Sequence, residues 1–171
     1  MILLYIIVNV FYLIAAFKWG DWRNWKLYYP TILFLIIGDF LYNFLLYKKS
    51  MWLFHDLILP NHTIITILAM VVSYSATVLI YLGRFPEEWN KRFLWFLLWV
   101  GIYIFAEYFN SKFGFITYHN GWNILWSALF TGIIFVILPI HQKKPLLAWI
   151  LSIVIILSLL TIFDVKISEM K

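Results

Sequence analysis

The sequence predicts an all-α protein, a polytopic membrane bundle of about six transmembrane helices in a single domain. Hydrophobic residues make up 64% of the chain and charged residues only 12%, whereas a soluble domain has ~25% charged residues. The apolar residues fall into six runs, each close to the ~20 residues that cross the hydrocarbon core of a bilayer. Aromatic residues reach 22%, and many tryptophans adjoin charges or turns, as in an interfacial aromatic belt.

The predicted spans are separated by short connections that carry charges and turn residues. They cover residues 2–17, 31–47, 63–83, 93–110, 122–140 and 145–163. Pro30 and Pro145 are expected in the first turns of spans two and six, where the missing N–H of proline would be unpaired anyway. Pro86, followed by two glutamates, predicts the start of span four. Gly114 predicts its C-terminal cap.

The first run, MILLYIIVNVFYLIAAF, has no positive n-region and no A-x-A cleavage site, so an uncleaved first span is expected rather than a signal peptide. Eight basic residues follow spans one, three and five: Lys18, Arg23, Lys26, Arg84, Lys91, Arg92, Lys143 and Lys144. Five lie on the opposite side: Lys48, Lys49, Lys112, Lys166 and Lys171. The positive-inside rule therefore places both termini outside and the connections after the odd spans in the cytoplasm.

Two connections are longer than a turn, and both fall on the predicted outer side. In residues 48–62, an interfacial helix would place Met51, Trp52, Phe54 and Ile58 against lipid. Residues 110–121 alternate in polarity and end in Asn-Gly, which predicts a tight hairpin-like flap.

Asp39 is the most informative residue, because it lies inside the apolar run 31–47. An aspartate at the centre of a membrane helix costs about 2.5–3.5 kcal/mol, so other groups must offset that cost. Asn43 is four residues away and shares its helix face. A rise of ~1.5 Å per residue predicts a mid-membrane layer of Asp39, Asn9, Ser73, Tyr74 and Thr131. The same rise predicts an outer layer of Asn43, Glu107, Asn110, His62, Thr66, His119, Asn120 and Asn123.

These layers predict an outward-facing polar cavity that binds or passes a small polar solute or cation. Its candidate lining residues are Asp39, Asn43, Glu107, Asn9, His62, His119, Asn120 and Asn123. The structural alternative for Asp39 is a neutral carboxyl that holds helices together.

Two other function classes remain open. One is an intramembrane or interfacial enzyme with His62, His119 and Glu107 as metal or acid–base residues; no HExxH spacing supports it, so a non-enzymatic role is favoured. The other is a structural or accessory subunit whose outer loops contact a partner. That partner could be another membrane protein, or a second copy of the chain in a homo-oligomer.

Several activities are excluded by composition. The chain has no cysteine, hence no disulfide and no thiolate chemistry. It has no Gly-rich loop with a Walker lysine, so no nucleotide cofactor is expected. No metal is assigned either, because no local spacing of metal ligands occurs, although the enzyme alternative above would use one. The net charge of +5 is scattered over short loops rather than gathered in a stripe, so the expected partner is the lipid bilayer and not nucleic acid.

Five strings carry a resemblance that covers nearly the whole chain. They are GDWRNWKLYYPTILFLIIGDFLYNFLLY, LPNHT, TVLIYLGRFP, YHNGWN and KKPLLAW. The chain resembles an uncharacterised family of small multi-pass membrane proteins from endospore-forming bacteria. The resemblance implies a bacterial plasma membrane or spore membrane location, and it supplies no catalytic residue and no substrate.

Overall fold

The computed structural model describes residues 2–55 and 62–170, without the side chains of residues 2–9, 62, 63, 65 and 69. The helices are α1 (Ile2–Trp19), α2 (Trp25–Leu45), α3 (His62–Leu68), α4 (Ser75–Tyr81), α5 (Trp89–Lys112), α6 (Ile124–Lys143) and α7 (Pro145–Ile162). A π-helical segment, Ala69–Tyr74, joins α3 to α4 without a break. Two short strands, β1 (Trp52–Phe54) and β2 (Ile116–Tyr118), lie in the longer connections. The all-α prediction is therefore confirmed.

Four helical segments within the described residues are long and apolar enough to cross a membrane. They are Trp22–Leu45, Trp89–Lys112, Ile124–Lys143 and Pro145–Ile162. The segments Val10–Trp19 and Thr66–Tyr81 are also apolar helices but are shorter. These four helices are consistent with a membrane protein. The predicted count of six spans is not supported, because two of the predicted spans correspond to the shorter segments.

Helix ends agree in part with the predicted turn residues. Pro145 occupies the first turn of α7, as expected. Gly114 follows α5 with φ of 76°, and the N–H groups of Gly114 and Phe115 donate to the carbonyls of Ser111 and Asn110, which is a Schellman cap. Pro30, however, lies inside α2; the expectation of a first-turn position was wrong because α2 begins earlier, at Trp25.

A second internal proline, Pro139 in α6, explains a buried hydrogen bond between two helices. Because proline has no N–H, the carbonyl of Phe135, four residues earlier, has no donor within the helix. The hydroxyl of Tyr81 donates to that carbonyl at 2.9 Å, and Tyr81 is only 1% exposed. Such a donor from a neighbouring helix is what makes proline tolerable at membrane depth.

The helices pack against one another around the contact between Tyr81 and Phe135. Helix α6 packs against α5, α7 and α2, while α1 packs against α4 and the π-helical segment. The main core cluster gathers around Tyr81, Phe135, Trp99, Val78 and Leu138. By contrast, α7 buries only Ala148 completely, so most of its apolar surface is not covered by the rest of the described chain.

The strands pair antiparallel, with Trp52 opposite Tyr118 and Phe54 opposite Ile116. We call β1, β2 and the flanking His55 and His119 the ribbon. Two predictions about these connections were wrong: Met51–Phe54 do not form an interfacial helix, and β2 pairs with the other connection rather than within a flap of its own. The two connections form hydrogen bonds with each other, and these replace the local helix and the local hairpin that were predicted. The predicted contact of Ile58 lies outside the described residues.

Tyr42, near the end of α2, ties the ribbon to the bundle. Its hydroxyl accepts hydrogen bonds from the N–H groups of Met51 and Trp52, at 3.0 and 3.1 Å. Its ring stacks on that of Trp52 with centroids 4.0 Å apart. The ribbon therefore marks one end of the bundle, called here the ribbon end, where α2 and α5 end and α3 and α6 begin.

Candidate functional site

Asp39 faces the π-helical segment from α2. The hydroxyl of Tyr74 donates to Asp39 Oδ2 at 3.0 Å. The amide of Asn43 donates to the Asp39 backbone carbonyl at 2.8 Å and approaches Oδ1 at 3.4 Å. All three side chains are half-buried. The carboxyl is thus held by neutral hydrogen-bond donors from its own helix and from the neighbouring one.

Tyr74 is the last residue of the π-helical segment. In a π-helix the hydrogen bonds run from residue i to i+5, so each turn holds an extra residue and the side chains after it are re-aimed relative to a regular α-helix. Single-turn π segments occur frequently at functional sites. The local backbone therefore contributes to where the phenol of Tyr74 points.

The polar contacts continue beyond Tyr74. Thr77 lies three residues later, on the same side of the helix, and its hydroxyl is 2.6 Å from that of Tyr103 on α5. Tyr103 also hydrogen-bonds Tyr12 on α1. We call this set the Asp39 network; its members are Asn43, Asp39, Tyr74, Thr77, Tyr103 and Tyr12. It brings polar side chains from four helical segments, α1, α2, the π-helical segment with α4, and α5, into the interior of the bundle.

The Asp39 network contains no fixed cation in the part of the chain that the structure describes. The two ion pairs there, Lys49–Glu169 and Lys91–Glu88, both lie in connections or near the termini of helices. Asp39 is therefore balanced by hydroxyl and amide groups alone. A carboxyl in such surroundings can bind a proton or a small cation, and its phenolic neighbour can either donate or accept a hydrogen bond.

Glu107 lies in a separate polar group at the ribbon end. Its Oε1 accepts a hydrogen bond from the hydroxyl of Tyr118 on β2, at 2.8 Å. Burial raises the pKa of the Tyr118 phenol, and the hydrogen bond to Glu107 raises it further. An adjoining groove of about 390 Å³ is lined by Tyr108, Ser111, Lys112, Tyr118 and Ile124.

The other predicted site residues do not join Asp39. Asn120 donates from Nδ2 to the carbonyl of Ser50 at 2.8 Å. Asn123 caps α6, since its Oδ1 accepts from the N–H groups of Leu125 and Trp126. His119 contacts Thr117. The side chains of Asn9 and His62 lie outside the described residues. Of the candidates whose side chains are described, only Asp39 and Asn43 are together.

The predicted cavity at Asp39 can be compared with two grooves of the structure. A second groove, of about 420 Å³, is almost wholly apolar and lies between α2 and the continuous helix formed by the π-helical segment and α4, which contribute Val71, Ser75 and Leu79. Neither groove is lined by Asp39 or Asn43, so a cavity at Asp39 stays a prediction. Within residues 2–55 and 62–170, no three His, Cys, Asp or Glu side chains lie close enough to hold a metal ion together.

Sequence reasoning missed a buried pair at the opposite end of α2. Thr31 Oγ1 lies 3.0 Å from His141 Nδ1, and the two residues are only 1% and 5% exposed. The ring of Phe34 stacks on His141 with centroids 4.2 Å apart. His141 was overlooked because the predicted fifth span ended at residue 140, which left it in the basic string HQKK.

Tyr12 and Tyr103 were also missed, because a tyrosine in an apolar run has no signal of its own. A partial signal existed: Tyr103 precedes Glu107 by four residues and therefore shares its helix face. Comparison of the chain with protein-family models, with curated proteins and with solved structures finds no match. The function must therefore be argued from the geometry.

Proposed function

We propose that the chain is an integral membrane protein that binds a proton or small cation at Asp39 and passes it through the helix bundle. The proposal includes six spans: the four long helices, α1, and the continuous α3–π–α4 helix, which contain the two shorter apolar segments. It also includes both termini outside, from the distribution of basic residues, and a bacterial plasma membrane or spore membrane location.

One observation carries the proposal: the Asp39 carboxyl points at a phenol on a π-helical turn, inside a set of hydroxyls that links four helical segments. Ionisable residues inside membrane spans are costly, and they commonly mark ion or proton paths. A carboxyl is not needed to join two helices, because an uncharged amide or hydroxyl makes similar hydrogen bonds at a lower free-energy cost of burial.

The chemistry of the pair suits reversible loading. When Asp39 is ionised, Tyr74 donates its hydrogen bond to the carboxylate, as in the present geometry. When Asp39 takes up a proton, the carboxyl becomes a donor and the Tyr74 oxygen can accept. Both states therefore use the same side-chain positions, and a change of protonation requires only rotation of hydroxyl hydrogens.

The members of the Asp39 network lie at different depths. Asn43 is two residues from the end of α2 at the ribbon end, while Thr77 lies on α4, toward the other end of the bundle. At ~1.5 Å of rise per residue, the four residues from Asn43 to Asp39 cover about 6 Å along the helix axis. The network thus supplies polar groups on both sides of Asp39 along the membrane normal.

The enzyme hypothesis gains no support from the geometry. Adjacent residues of a strand point to opposite faces. Tyr118 contacts Glu107, while the next residue, His119, contacts Thr117 instead. A purely structural role for Asp39 is the competing proposal, since its hydrogen bonds to Tyr74 and Asn43 also join helices.

Flux measurements on purified protein in liposomes separate these proposals. An inward gradient of protons, Na⁺ or K⁺ is imposed, and the luminal pH or cation concentration is followed with a dye. We expect the wild-type protein to pass at least one of the three, and Asp39→Asn to abolish that flux, because the amide cannot bind a proton or balance a cation.

Asp21→Asn is the matched control. Asp21 also accepts hydrogen bonds from a tyrosine and an asparagine, Tyr28 and Asn24, but it lies before the first turn of α2, outside the apolar run. The control is expected to keep wild-type flux. Wild-type protein that passes none of the three ions, or Asp39→Asn protein that passes them normally, would rule out the proposal.

A further inference from the structure

Two histidines of the ribbon converge on one atom. His55 directly follows β1, and His119 directly follows β2. His55 Nε2 lies 2.8 Å from Thr117 Oγ1, and His119 Nε2 lies 2.9 Å from the same oxygen. Both imidazoles are exposed. Two ring nitrogens from separate connections therefore meet at a point that solvent can reach.

The strand register produces this convergence. Thr117 is paired with Leu53, and His55 lies two residues beyond Leu53 while His119 lies two residues beyond Thr117. Because side chains alternate along a strand, residues two apart point to the same face. Thr117 and the two histidines consequently lie side by side on one face of the ribbon.

Backbone hydrogen bonds fix both histidines independently of their side chains. The N–H of His55 donates to the carbonyl of Phe115, and the N–H of His119 donates to that of Met51, each at 2.8 Å. Met51 is in turn bonded to Tyr42 of α2. The two imidazoles thus project from a fixed backbone, which lowers the entropy lost when they bind a common ligand.

We propose that His55 and His119 form a two-histidine site for a divalent transition-metal ion of the kind imidazole prefers, Cu²⁺, Zn²⁺ or Ni²⁺, with water completing its coordination. A metal–nitrogen distance of about 2.0–2.1 Å requires two nitrogens within about 4 Å of each other. The two Nε2 atoms are separated by no more than 5.7 Å, the sum of their distances of 2.8 and 2.9 Å to Thr117 Oγ1, so the ion requires them to approach each other by at most about 1.7 Å.

The hydroxyl of Thr117 yields its place when the ion binds. With both rings neutral, one hydroxyl donates its proton to one Nε2 and accepts an N–H from the other. Binding of the ion requires a lone pair on each Nε2, so the ring that held its proton on Nε2 must hold it on Nδ1 instead; because both residues are exposed, this shift occurs by proton exchange with water. The Thr117 hydroxyl then rotates away and donates its hydrogen bond to water.

This site differs from the metal set considered from the sequence. Tyr118 lies between Thr117 and His119 and points to the other face, where it bonds Glu107. Glu107 is therefore separated from the two histidines by the ribbon itself. The site also lies apart from the Asp39 network, so its failure leaves the proposed function untouched.

Binding measurements on metal-free, full-length protein in detergent test the site. Zn²⁺ is titrated by calorimetry, and Cu²⁺ is used for electron paramagnetic resonance, in which nitrogen ligands split the signal. We expect one ion per chain with nitrogen coordination. Removal of a residue that merely hydrogen-bonds a metal ligand weakens binding by roughly tenfold or more. Because His55→Gln and His119→Gln each remove a ligand itself, each should weaken binding at least as much.

Glu107→Gln and Thr117→Val serve as matched controls: Glu107 lies on the other face of the ribbon, the Thr117 hydroxyl gives up its contacts when the ion binds, and neither residue supplies a proposed ligand. Both are expected to bind Zn²⁺ at least as tightly as the wild-type protein. Since both histidines are exposed, their variants are expected to keep the helical circular dichroism of the wild type. Absence of binding of both ions, unchanged binding in His55→Gln, or loss of binding in Glu107→Gln would overturn the proposal.

Discussion

Asp21 and Asp39 have the same types of partner in two different environments. Asp21 accepts hydrogen bonds from Tyr28, at 2.7 Å, and from Asn24; Asp39 accepts them from Tyr74, at 3.0 Å, and from Asn43. Asp21 lies just before α2, where water reaches it. Asp39 lies more than three turns into the same helix, within the apolar run.

The comparison shows that a hydrogen-bond pattern does not by itself define a role. Near water, a phenol and an amide stabilise an ionised carboxylate at little cost. Inside the span, the same groups only reduce a penalty of about 2.5–3.5 kcal/mol. The types of partner are the same for both carboxyls, so the location of Asp39 inside the apolar run is what distinguishes the role proposed for it from a structural role of Asp21.

Replacement of each aspartate by leucine should reveal the difference between the two environments most strongly. Asp39→Leu removes the penalty for a buried carboxyl but leaves the Tyr74 hydroxyl without its acceptor, so we expect a net gain of about 1 kcal/mol in the free energy of unfolding. Asp21→Leu removes an acceptor from the buried Tyr28 and should lower that free energy by about 1 kcal/mol. Denaturation in mixed micelles measures both changes.

A large loss of stability in Asp39→Leu would contradict this comparison, because it would make Asp39 a structural residue. Flux and stability are expected to separate in this variant, with flux lost and stability kept. Such a trade of stability for activity is common where a functional group occupies an unfavourable position.

Tyr81 sharpens the comparison by showing what a phenol contributes without a carboxyl. Its hydroxyl donates to the Phe135 carbonyl that Pro139 leaves unpaired. Tyr81→Phe should lower the free energy of unfolding by about 1 kcal/mol. In a Pro139→Ala background the new N–H can donate to Phe135, so the same substitution should have a smaller effect. Equal effects in the two backgrounds would contradict the assigned hydrogen bond.

The smallest expected effect is the response of Asp21 to acid. The hydrogen bonds from Asn24 and then Tyr28 lower the pKa of Asp21 below its ordinary value. A carboxyl whose pKa is lower in the folded state contributes stability above the unfolded pKa of about 3.9, and that contribution is lost as the pH falls through the folded pKa.

Melting temperatures of the wild type and Asp21→Asn between pH 7 and pH 3 measure this contribution. The two proteins should differ most near neutral pH, and the difference should shrink below about pH 4 as Asp21 is protonated. A difference that does not change with pH would show that the carboxylate charge has no part in the effect.

Part of the site could be predicted because it depends on spacing within one helix. Asp39 and Asn43 share a face at a separation of four residues, and counting residues along the helix placed Tyr74 near the depth of Asp39. The π-helical segment could not be predicted, because α and π turns use the same apolar residues. The contacts of Tyr12 and Tyr103 depend on how three helices pack, which no local pattern encodes.

Composition and periodicity alone determined that this chain is helical and suited to a membrane, because apolar runs of that length cannot be covered in water and must satisfy their own backbone hydrogen bonds. They also identified Asp39 as the costly residue. Only the tertiary structure decided its partner, the union of two distant connections in the ribbon, and the burial of His141 against Thr31. Those outcomes depend on side chains far apart in the sequence, and their geometry exists only once the helices have packed.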